Sequence, residues 1–329
     1  MDPFVMETVM DFHKDVLKLD CASESERIGS FIRQYVRSSK RDGAVVGLSG
    51  GIDSALCAAL CVKALGQDRV FGLILPEKES NPVSAEYAAK HAEELGIRTE
   101  TVDVTPVLEA FGTYRKRDGM IKDVFPEYDE SYTSKITLPP DLLSKDTFNI
   151  FTLKINDGKG NEQSARLNKN ILNGLVAATD TKQRIRMVHL YYYAEKMNYI
   201  VCGTTNKTEA LQGFFVKYGD GGVDLEPLSH LYKVQVFQLS EYLGVIREII
   251  ERPPSPDTWN AQVSDEEFYF RIPYATLDML LYAWERKIPI ERVCETMNLT
   301  EDQVKRAHRD FNAKYNATQW ARQAPPTLE

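Results

Sequence analysis

The alternation of helical and strand patterns along the first third of the chain predicts a parallel α/β sheet. From residue 24 onward, short apolar runs alternate with segments whose apolar residues recur at the spacing of an amphipathic helix. The predicted helices span residues 25–38, 55–65 and 82–95, a short helix opens at Thr105-Pro106, and the predicted strands span residues 44–48, 69–75 and 98–104. This order is typical of an α/β fold with a doubly wound, mostly parallel sheet and helices on both faces. In such sheets, ligands bind beyond the carboxyl ends of the strands.

Residues 113–170 interrupt this alternation and predict an insertion. After a charged, tyrosine-rich stretch come two β-like runs, residues 148–155 and 163–167. Between them lies Asn156-Asp157-Gly158-Lys159-Gly160-Asn161, whose residue types strongly favour a turn. We therefore expect a β-hairpin, with a solvated loop as the alternative. A lid and a dimerisation element are both open as its role.

The helix and strand patterns return after residue 180, and the C-terminal part is predicted to be helical. The predicted elements are a strand at 199–203 and helices at 181–197, 207–211, 233–243, 290–297 and 301–315. Pro253, Pro254 and Pro256 indicate a rigid loop. The pattern suggests one domain over the whole chain, with an insertion at about 113–170 and C-terminal helices at about 260–329.

Composition and charge exclude several classes of protein. The 329 residues are 43% hydrophobic, enough for a sizeable core, and the net charge of −8 disfavours a broad nucleic-acid surface. The last two predicted helices superficially resemble a helix-turn-helix, but Glu301, Asp302 and Asp310 in the second one argue against DNA binding. No apolar run approaches the roughly 20 residues that cross a bilayer. The N-terminus has no signal-peptide pattern. We therefore expect no nucleic-acid and no membrane partner.

The cysteines indicate neither a zinc site nor a disulfide framework. Their number is odd, and Cys21, Cys57, Cys61, Cys202 and Cys294 show no CxxC or Cys/His spacing. Cys57 and Cys61 are four residues apart on a predicted helix, which favours packing over redox chemistry. A reducing cytoplasm is the expected compartment.

The most informative segment is a glycine-rich turn between the first predicted strand and the next helix. It reads Gly47-Leu48-Ser49-Gly50-Gly51-Ile52-Asp53-Ser54. Such a turn at a helix N-terminus offers free backbone N–H groups and a positive dipole end to phosphate oxygens. Ser49 and Ser54 add hydroxyl donors, and the adjacent glycines allow close approach of the backbone. Asp53 does not attract phosphate, so we interpret it as a ligand of magnesium carried by the nucleotide.

The turn lacks the lysine of a Walker-type loop, and this difference limits the chemistry. In GxxxxGK[ST] the lysine reaches the β- and γ-phosphates, so its absence disfavours transfer of the γ-phosphate. Ser-Gly-Gly-x-Asp-Ser instead resembles the pyrophosphate loop of ATP pyrophosphatases, enzymes that attack the α-phosphate and leave an AMP-activated carbonyl. An ordinary strand-to-helix turn is the alternative interpretation.

A second set of candidate residues follows the predicted strand at 199–203. Thr204 and Glu209 lie beyond that strand end, and Glu209 can complete a magnesium site with Asp53, since magnesium on a nucleotide takes one or two protein carboxylates. An exposed helix glutamate is the alternative. Residues 213–224 are too glycine-rich and polar for a helix and too aromatic for a plain linker. They predict a ligand-binding loop.

Together these motifs are similar to those of the NAD synthetase family. The similarity rests on Ser-Gly-Gly-Ile-Asp-Ser, on Gly-Thr followed by Glu209, and on Gly-Phe-Phe-x-Lys-Tyr-Gly-Asp-Gly-Gly. It covers roughly residues 20–111 and 180–259, with a weaker similarity in the C-terminal helices. The resemblance implies that the ATP phosphates and the departing pyrophosphate are held by Gly47, Leu48, Ser49, Gly50, Gly51 and Ser54.

The resemblance also implies the other site residues. Asp53 and Lys233 are the expected catalytic residues, and Asp53 and Glu209 the expected magnesium ligands. Further ATP contacts fall to Thr204, Lys233 and Ser255, and contacts with a dinucleotide substrate to Phe31, Arg184, Phe214, Lys217, Asp220 and Asp224. Cationic side chains suit phosphates, and aromatic faces suit a flat pyridine ring. As alternatives, Lys233 caps a surface helix, and Phe31 or Phe214 belongs to the core.

The function implied by the resemblance is ATP-dependent amide formation. The carboxylate of nicotinic acid adenine dinucleotide would attack the ATP α-phosphate, and ammonia would displace AMP from the adenylate, in a homodimeric enzyme. Two features depart from the family: residues 318–322 stand where a His-Lys pair is common, with Arg322 as a candidate replacement for the lysine, and the insertion is long. An amide ligase for another carboxylate and a non-catalytic nucleotide-binding protein are the alternative hypotheses.

Overall fold

The computed structural model describes residues 12–328 and has a parallel sheet at its centre. In chain order the strands are β1 (Gly43–Gly47), β2 (Val70–Ile74), β3 (Arg98–Thr101), β4 (Thr133–Thr137), β5 (Thr152–Asn156), β6 (Glu162–Arg166) and β7 (Tyr199–Cys202). The central sheet has the order β3-β2-β1-β7, and each pairing is parallel. Strand β1 lies in the middle, with Val45 opposite both Phe71 and Val201. The carboxyl ends of β1, β2 and β7 therefore meet at one edge.

Helices cover both faces of this sheet. In chain order they are α1 (Cys21–Ser38), α2 (Ile52–Leu65), α3 (Pro82–Glu94), α4 (Thr105–Phe111), α5 (Thr113–Lys122), α6 (Lys169–Met197), α7 (Lys207–Gln212), α8 (Lys233–Tyr242), α9 (Arg247–Ile250), α10 (Tyr274–Glu285), α11 (Ile290–Met297), α12 (Glu301–Ala317) and α13 (Gln319–Arg322), with a 3-10 turn at Gln67–Arg69 and a π-helical turn at Glu266–Phe270. Ala44 and Val46 face α1, α2 and α8, whereas Val45 faces α4, α5 and α6. The predicted doubly wound α/β fold is confirmed.

Helix α6 begins twelve residues earlier than the sequence pattern predicts. Asn168 caps it by accepting a hydrogen bond from the backbone N–H of Ile171 at 3.0 Å. Its first turns contain Gly174 and two asparagines, which weaken the local helical signal. Leu172 and Leu175 pack into the apolar cluster under the insertion, and this tertiary contact stabilises the early turns.

The insertion is a three-stranded antiparallel sheet of order β4-β5-β6. The predicted hairpin corresponds to β5 and β6, and Asp157 closes its turn by accepting hydrogen bonds from the backbone N–H groups of Lys159 and Asn161. The alternative of a solvated loop is wrong. Strand β4 was not predicted, because TSKIT is short and only one of its residues is strongly apolar. One face of the sheet packs on α5 and α6.

The helices that follow residue 273 form a separate apolar cluster, as the C-terminal pattern predicts. Leu277, Leu281, Val304 and Phe311 are fully buried there. Within residues 12–328, no helix combines the length and the apolar content that a membrane span needs.

Candidate functional site

A cavity of about 540 Å³ opens at the carboxyl edge of the central sheet. The turn after β1, the ends of β2 and β7, and the loops at 213–220 and 253–258 surround it. Gly47, Leu48, Ser49, Gly50, Gly51, Asp53 and Ser54, the predicted phosphate-binding residues and the first carboxylate, all line this cavity. Its position is the one that open α/β sheets use for ligands.

Hydrogen bonds within the glycine-rich turn fix its conformation. The Ser54 hydroxyl accepts from the backbone N–H of Ser49 at 3.2 Å and donates to the Gly51 carbonyl at 2.9 Å. Gly50 has φ +73°, and a Cβ there would lie 2.2 Å from the carbonyl oxygen of Ser84. Only glycine fits this close approach of two backbone segments. Helix α2 starts at Ile52, so its N-terminal N–H groups face the cavity.

Three charged residues from separate elements meet beside this turn. Asp53 lies in the first turn of α2, Glu209 in α7 and Lys233 at the start of α8. The Lys233 Nζ donates to Asp53 Oδ2 at 2.5 Å and to Glu209 Oε1 at 3.2 Å. Asn206 Nδ2 donates to Asp53 Oδ1 at 2.8 Å, and the backbone N–H of Asn206 donates to Glu209 Oε2 at 3.3 Å. The Lys233 side chain is 2% exposed and that of Glu209 15%, so neither is a surface helix residue.

The charges of this cluster depend on one another. Burial by itself lowers the pKa of the Lys233 ammonium, but the carboxylates of Asp53 and Glu209 outweigh burial and raise it well above its usual range. Burial raises the pKa of Glu209, and the positive charge of Lys233 opposes that shift. Lys233 therefore carries a fixed positive charge in the cavity wall. An anionic phosphate and a divalent cation are the natural counterparts of such a mixed site.

Asp265 is a site residue that the sequence analysis missed. It is 4% exposed, lines the cavity, and accepts a hydrogen bond from the Tyr274 hydroxyl at Oδ2, at 2.7 Å. Its Oδ1 has no hydrogen-bond partner within residues 12–328. Burial raises the pKa of Asp265, and Lys233 opposes the shift. Asp265 stands in an acidic run that looks like ordinary first-turn helix residues, so only its burial distinguishes it.

Thr204 and Ser255, the other predicted ATP contacts, also line the cavity. Thr204 lies two residues after the end of β7. Ser255 lies in the proline-rich loop, which Asp257 anchors by accepting hydrogen bonds from the backbone N–H of Asn81 at 3.2 Å and from the Ser84 hydroxyl at 3.1 Å. The fully buried Lys182 holds the same loop by donating to the carbonyl of Thr258 at 2.9 Å. The loop is thus attached to both faces of the sheet.

Two of the six predicted substrate residues, Phe214 and Asp220, line the cavity. The Phe214 ring stacks on Tyr269 with a centroid distance of 5.2 Å and meets Phe270 edge-on at 5.0 Å. Asp220 Oδ1 accepts a hydrogen bond from the backbone N–H of Val216 at 2.9 Å. Burial raises the pKa of Asp220 to about 6. The predicted ligand-binding loop therefore contributes two aromatic side chains, Phe214 and Phe215, and one carboxyl group to the cavity lining.

The other four predicted substrate residues do not line the cavity. Phe31, on α1, is 48% exposed, so it does not belong to the core. Arg184 forms an ion pair with Asp180 at 3.7 Å, and Lys217 Nζ donates to the carbonyl oxygens of Trp320 and Gln323 at 3.0 and 3.1 Å. Asp224 accepts hydrogen bonds from the Tyr191 hydroxyl at 3.1 Å and from the backbone N–H of Val201 at 2.8 Å. Their contacts with a substrate stay predictions.

Two further features bear on the predictions. Arg322, the candidate replacement for a family lysine, donates to the Ala210 carbonyl at 3.1 Å and to the Thr318 hydroxyl at 2.8 Å, and its guanidinium covers the Tyr315 ring.

Cys57, Cys61 and Cys202 are buried and free, with the sulfur atoms of the last two 3.7 Å apart. Burial raises the pKa of Cys57 to about 11, which is unfavourable for thiolate chemistry.

The fold and this site define a nucleotide-binding α/β protein with a glycine-rich turn at the carboxyl edge of a parallel sheet. A sequence model described as NAD synthase matches residues 24–125 and 144–325. The NH(3)-dependent NAD(+) synthetase of Rhizobium meliloti (strain 1021) is 40% identical over 318 residues, which cover 97% of this chain and 95% of that protein. The chain belongs to the NAD synthase family.

Solved structures give the same result for the fold. The NH3-dependent NAD synthetase from Campylobacter jejuni, in complex with a nitrate ion, superimposes with a TM-score of 0.62 and is 25% identical, covering 94% of this chain and 100% of that chain. The NMN synthetase from Francisella tularensis gives a TM-score of 0.65 at 25% identity, covering 94% of this chain and 99% of that chain. Both neighbours span nearly the whole chain, so the similarity is not confined to the glycine-rich turn.

Proposed function

We propose that this chain is an ATP-dependent amide ligase that converts nicotinic acid adenine dinucleotide and ammonia into NAD. Its membership of the NAD synthase family and its similarity to an NH(3)-dependent NAD(+) synthetase over 95% of that protein support this function. The observation that carries the proposal is the position of Lys233, Asp53 and Glu209 beside the glycine-rich turn. These groups suit activation of a carboxylate by adenylation.

The reaction needs two displacements and no side-chain nucleophile. The substrate carboxylate attacks the ATP α-phosphate, which forms an acyl-adenylate and breaks the bond to the departing pyrophosphate. Ammonia then attacks the acyl carbon, the carbonyl–AMP bond breaks, and ammonia loses a proton as AMP leaves. The turn at residues 49–54 would hold the phosphates through backbone N–H groups, and Lys233 would stabilise the charge that develops on them. The enzyme contributes positioning and electrostatic stabilisation.

We further propose that Asp53 and Glu209 hold a magnesium ion that accompanies ATP. Carboxylate oxygens suit this cation, which typically takes one or two protein carboxylates and completes its coordination with phosphate oxygens and water. Within residues 12–328, no three His, Cys, Asp or Glu side chains are arranged as a ready metal cage, which agrees with a cation carried in on the nucleotide. When bound, the ion would neutralise phosphate charge.

We also propose that the enzyme is a homodimer in the cytoplasm. Val188 and Tyr192, one turn apart on α6, are 56% and 60% exposed, and Phe31 on α1 is also exposed. Exposed apolar side chains are typical of an interface between copies. A partner subunit at this surface would bring further groups to Phe31 and Arg184. Light scattering should give twice the chain mass of 37.4 kDa, and a monomer mass at micromolar concentration would contradict this assembly.

A second candidate function is the same ATP-dependent amide formation with a different carboxylic acid as the substrate. The Francisella neighbour is an NMN synthetase, which favours a test of nicotinic acid mononucleotide as the carboxylate. The residues 318–322, which stand where a His-Lys pair is common in the family, lie outside the adenylating cluster. A non-catalytic nucleotide-binding protein is disfavoured because simple binding does not need the complete set of Asp53, Glu209 and Lys233.

The deciding experiment measures both products with both acids. The purified protein is incubated with ATP, magnesium, ammonium and either nicotinic acid adenine dinucleotide or nicotinic acid mononucleotide, and amide product and AMP are quantified by chromatography with mass detection. Stoichiometric NAD and AMP from the dinucleotide are expected. Turnover of the mononucleotide alone would establish the second candidate, and absence of AMP with either acid would overturn both.

A further inference from the structure

The insertion sheet forms part of the wall of the functional cavity. Ile136 of β4 and Phe151, which immediately precedes β5, line the same cavity as the glycine-rich turn and Lys233. No motif pointed to either residue, and the role of the insertion was open. Residues that line a ligand cavity are positioned to contact the ligand, so the insertion can take part in substrate recognition.

The register of the sheet explains how both side chains reach the cavity. Ile136 pairs with Leu153, and Phe151 is two residues before Leu153, so all three side chains are on the same face. That face packs on α5 and α6, where Ile136 is 2% exposed and Leu153 is fully buried. Phe151 lies at the end of the row and is half-buried. The row therefore leaves the core and enters the cavity at Phe151.

Hydrogen bonds attach the insertion to the segment that carries other cavity residues. The backbone N–H of Ser134 donates to Asn260 Oδ1 at 2.7 Å, and Lys135 Nζ donates to the Gln262 carbonyl at 3.1 Å. Lys135 also forms an ion pair with Glu267 at 2.9 Å. The sheet is thus a fixed wall, because Ser134 and Lys135 hold it to residues 260–267.

A series of aromatic contacts joins this wall to the predicted ligand-binding loop. The Phe151 and Phe268 ring centroids are 6.2 Å apart, and those of Phe268 and Phe214 are 5.9 Å apart. Both distances fall in the range of attractive aromatic pairs. We call the part of the cavity wall formed by these rings and Ile136 the apolar end, and the part formed by the charged cluster at Lys233 the polar end.

The family model matches only part of this cavity wall. The family model matches residues 24–125 and 144–325, so Phe151 and Phe268 lie inside the match and Ile136 lies outside it. Strand β4 also lies outside the match, although it completes the sheet and carries the bonds from Ser134 and Lys135. The cavity wall therefore includes a strand that the family model does not match.

We propose that Ile136 and Phe151 are specificity-determining residues that contact the flat heteroaromatic ring of the acid substrate. This inference rests on the proposed function. The substrate carboxylate must approach the α-phosphate at the polar end, so its ring extends toward the apolar end. A ring with an exposed π face gains from contact with Phe151 and from removal of water by Ile136. The proposed ATP phosphate site is the glycine-rich turn, so ATP binding is not expected to depend on Ile136 and Phe151.

The test compares two cavity variants with one matched control. Phe151→Ala removes the half-buried ring, and Ile136→Val trims the buried side chain without emptying its position. Phe148→Ala is the control, because Phe148 is three residues away in the same insertion and 85% exposed. Michaelis constants for the acid and for ATP are measured separately, together with melting temperatures. Phe151→Leu serves as the conservative variant.

We expect Phe151→Ala to raise the KM for nicotinic acid adenine dinucleotide about three- to tenfold, in line with the loss of one aromatic contact. The KM for ATP should stay within about twofold of wild type. Ile136→Val should give a smaller rise, Phe151→Leu should recover part of the loss, and Phe148→Ala should match wild type.

Two results would overturn the inference. One is an unchanged KM for the acid in Phe151→Ala. The other is an equal rise of both Michaelis constants with a lowered melting temperature, which would indicate a purely structural role. Wild-type protein that forms no NAD from the same acid would instead overturn the proposed function, so the two failures are distinguishable.

Discussion

The two ends of the cavity are built by different physical means. At the polar end, Lys233 is held by carboxylates at 2.5 and 3.2 Å, and each charge depends on its partner in a buried environment. At the apolar end, Phe151 and Phe268 pack through ring contacts at 6.2 Å, without directional bonds. Removal of one buried charge leaves another uncompensated, whereas removal of apolar surface costs free energy in proportion to area. We therefore expect larger effects of single substitutions at the polar end than at the apolar end.

The largest expected effect is that of Asp53→Asn. Lys233 would lose a charged partner, and the proposed magnesium site would lose one of its two carboxylates. We expect kcat to fall about 10²- to 10³-fold, the range seen when one group that stabilises transition-state charge is removed. Steady-state kinetics at saturating ATP and acid measure this loss. Asp68→Asn is the control, because Asp68 is an exposed carboxylate outside the cavity lining. Unaltered kcat in Asp53→Asn would contradict the proposed roles of the polar end.

The next effect concerns stability and its pH dependence. Burial raises the folded-state pKa of Asp220 to about 6 from an unfolded value of about 3.9. Folding therefore favours the protonated carboxyl, and stability is lost as the pH rises from about 4 to 6. Because the side chain keeps partial contact with solvent, we expect Asp220→Asn to raise the free energy of unfolding by about 1–2 kcal/mol at pH 7.5.

Denaturant titrations of wild type and Asp220→Asn at several pH values measure this difference. The gain should disappear below about pH 4, where the wild-type carboxyl is protonated in both states. The asparagine oxygen can keep the hydrogen bond from the Val216 N–H, so the substitution isolates the charge. A variant less stable than wild type at pH 7.5 would show that the charged form is the favoured one.

Asp265→Asn tests how far the charged cluster extends. The substitution removes a negative charge from the cavity wall while retaining an acceptor for the Tyr274 hydroxyl. We expect about tenfold more magnesium to be required for half-maximal activity, equivalent to ~1.4 kcal/mol. The thermal stabilisation by magnesium and ATP should weaken in parallel. Glu266→Gln, at the exposed neighbouring position, should behave as wild type. Equal magnesium dependence of both variants would confine the cation site to Asp53 and Glu209.

The smallest effect is expected at the apolar end. Phe268→Leu keeps most of the apolar volume but loses ring contacts with Phe151 and Phe214. We expect a loss of about 1 kcal/mol in stability and no more than a threefold rise in the KM for the acid. Thermal melts and kinetics against wild type measure both quantities. A hundredfold loss of kcat in Phe268→Leu would contradict the expectation that substitutions at the apolar end have smaller effects than those at the polar end.

Much of the polar end could be predicted because its signals are local. Glycine and serine spacing indicated the turn at residues 47–54, and strand patterns indicated that Thr204 and Glu209 follow a neighbouring strand of the same sheet. Residues at adjacent carboxyl ends of parallel strands must be close, so topology brought Asp53 and Glu209 together. The burial of Lys233 follows from the same topology, since α8 packs against α2.

The apolar end could not be predicted to the same degree. Strand β4 has a weak pattern of its own, and its pairing with β5 depends on cover from α5, α6 and Trp259. Asp265 looks like an ordinary residue in an acidic run until its burial is known. Phe31, Arg184, Lys217 and Asp224 match family positions, but none of them lines the cavity.

The sequence by itself determined the α/β class, the glycine-rich turn after the first strand, the insertion and membership of a family. These properties depend on hydrophobic periodicity and on short motifs, whose physical causes act over a few neighbouring residues. Only the tertiary structure decided which distant groups share one cavity: Lys233 with Asp53, Asp265 with the polar end, and Phe151 with Phe214. Such contacts form because few arrangements of a close-packed core both bury its apolar surface and pair its buried charges. Which arrangement satisfies both conditions depends on the whole chain and not on any single segment.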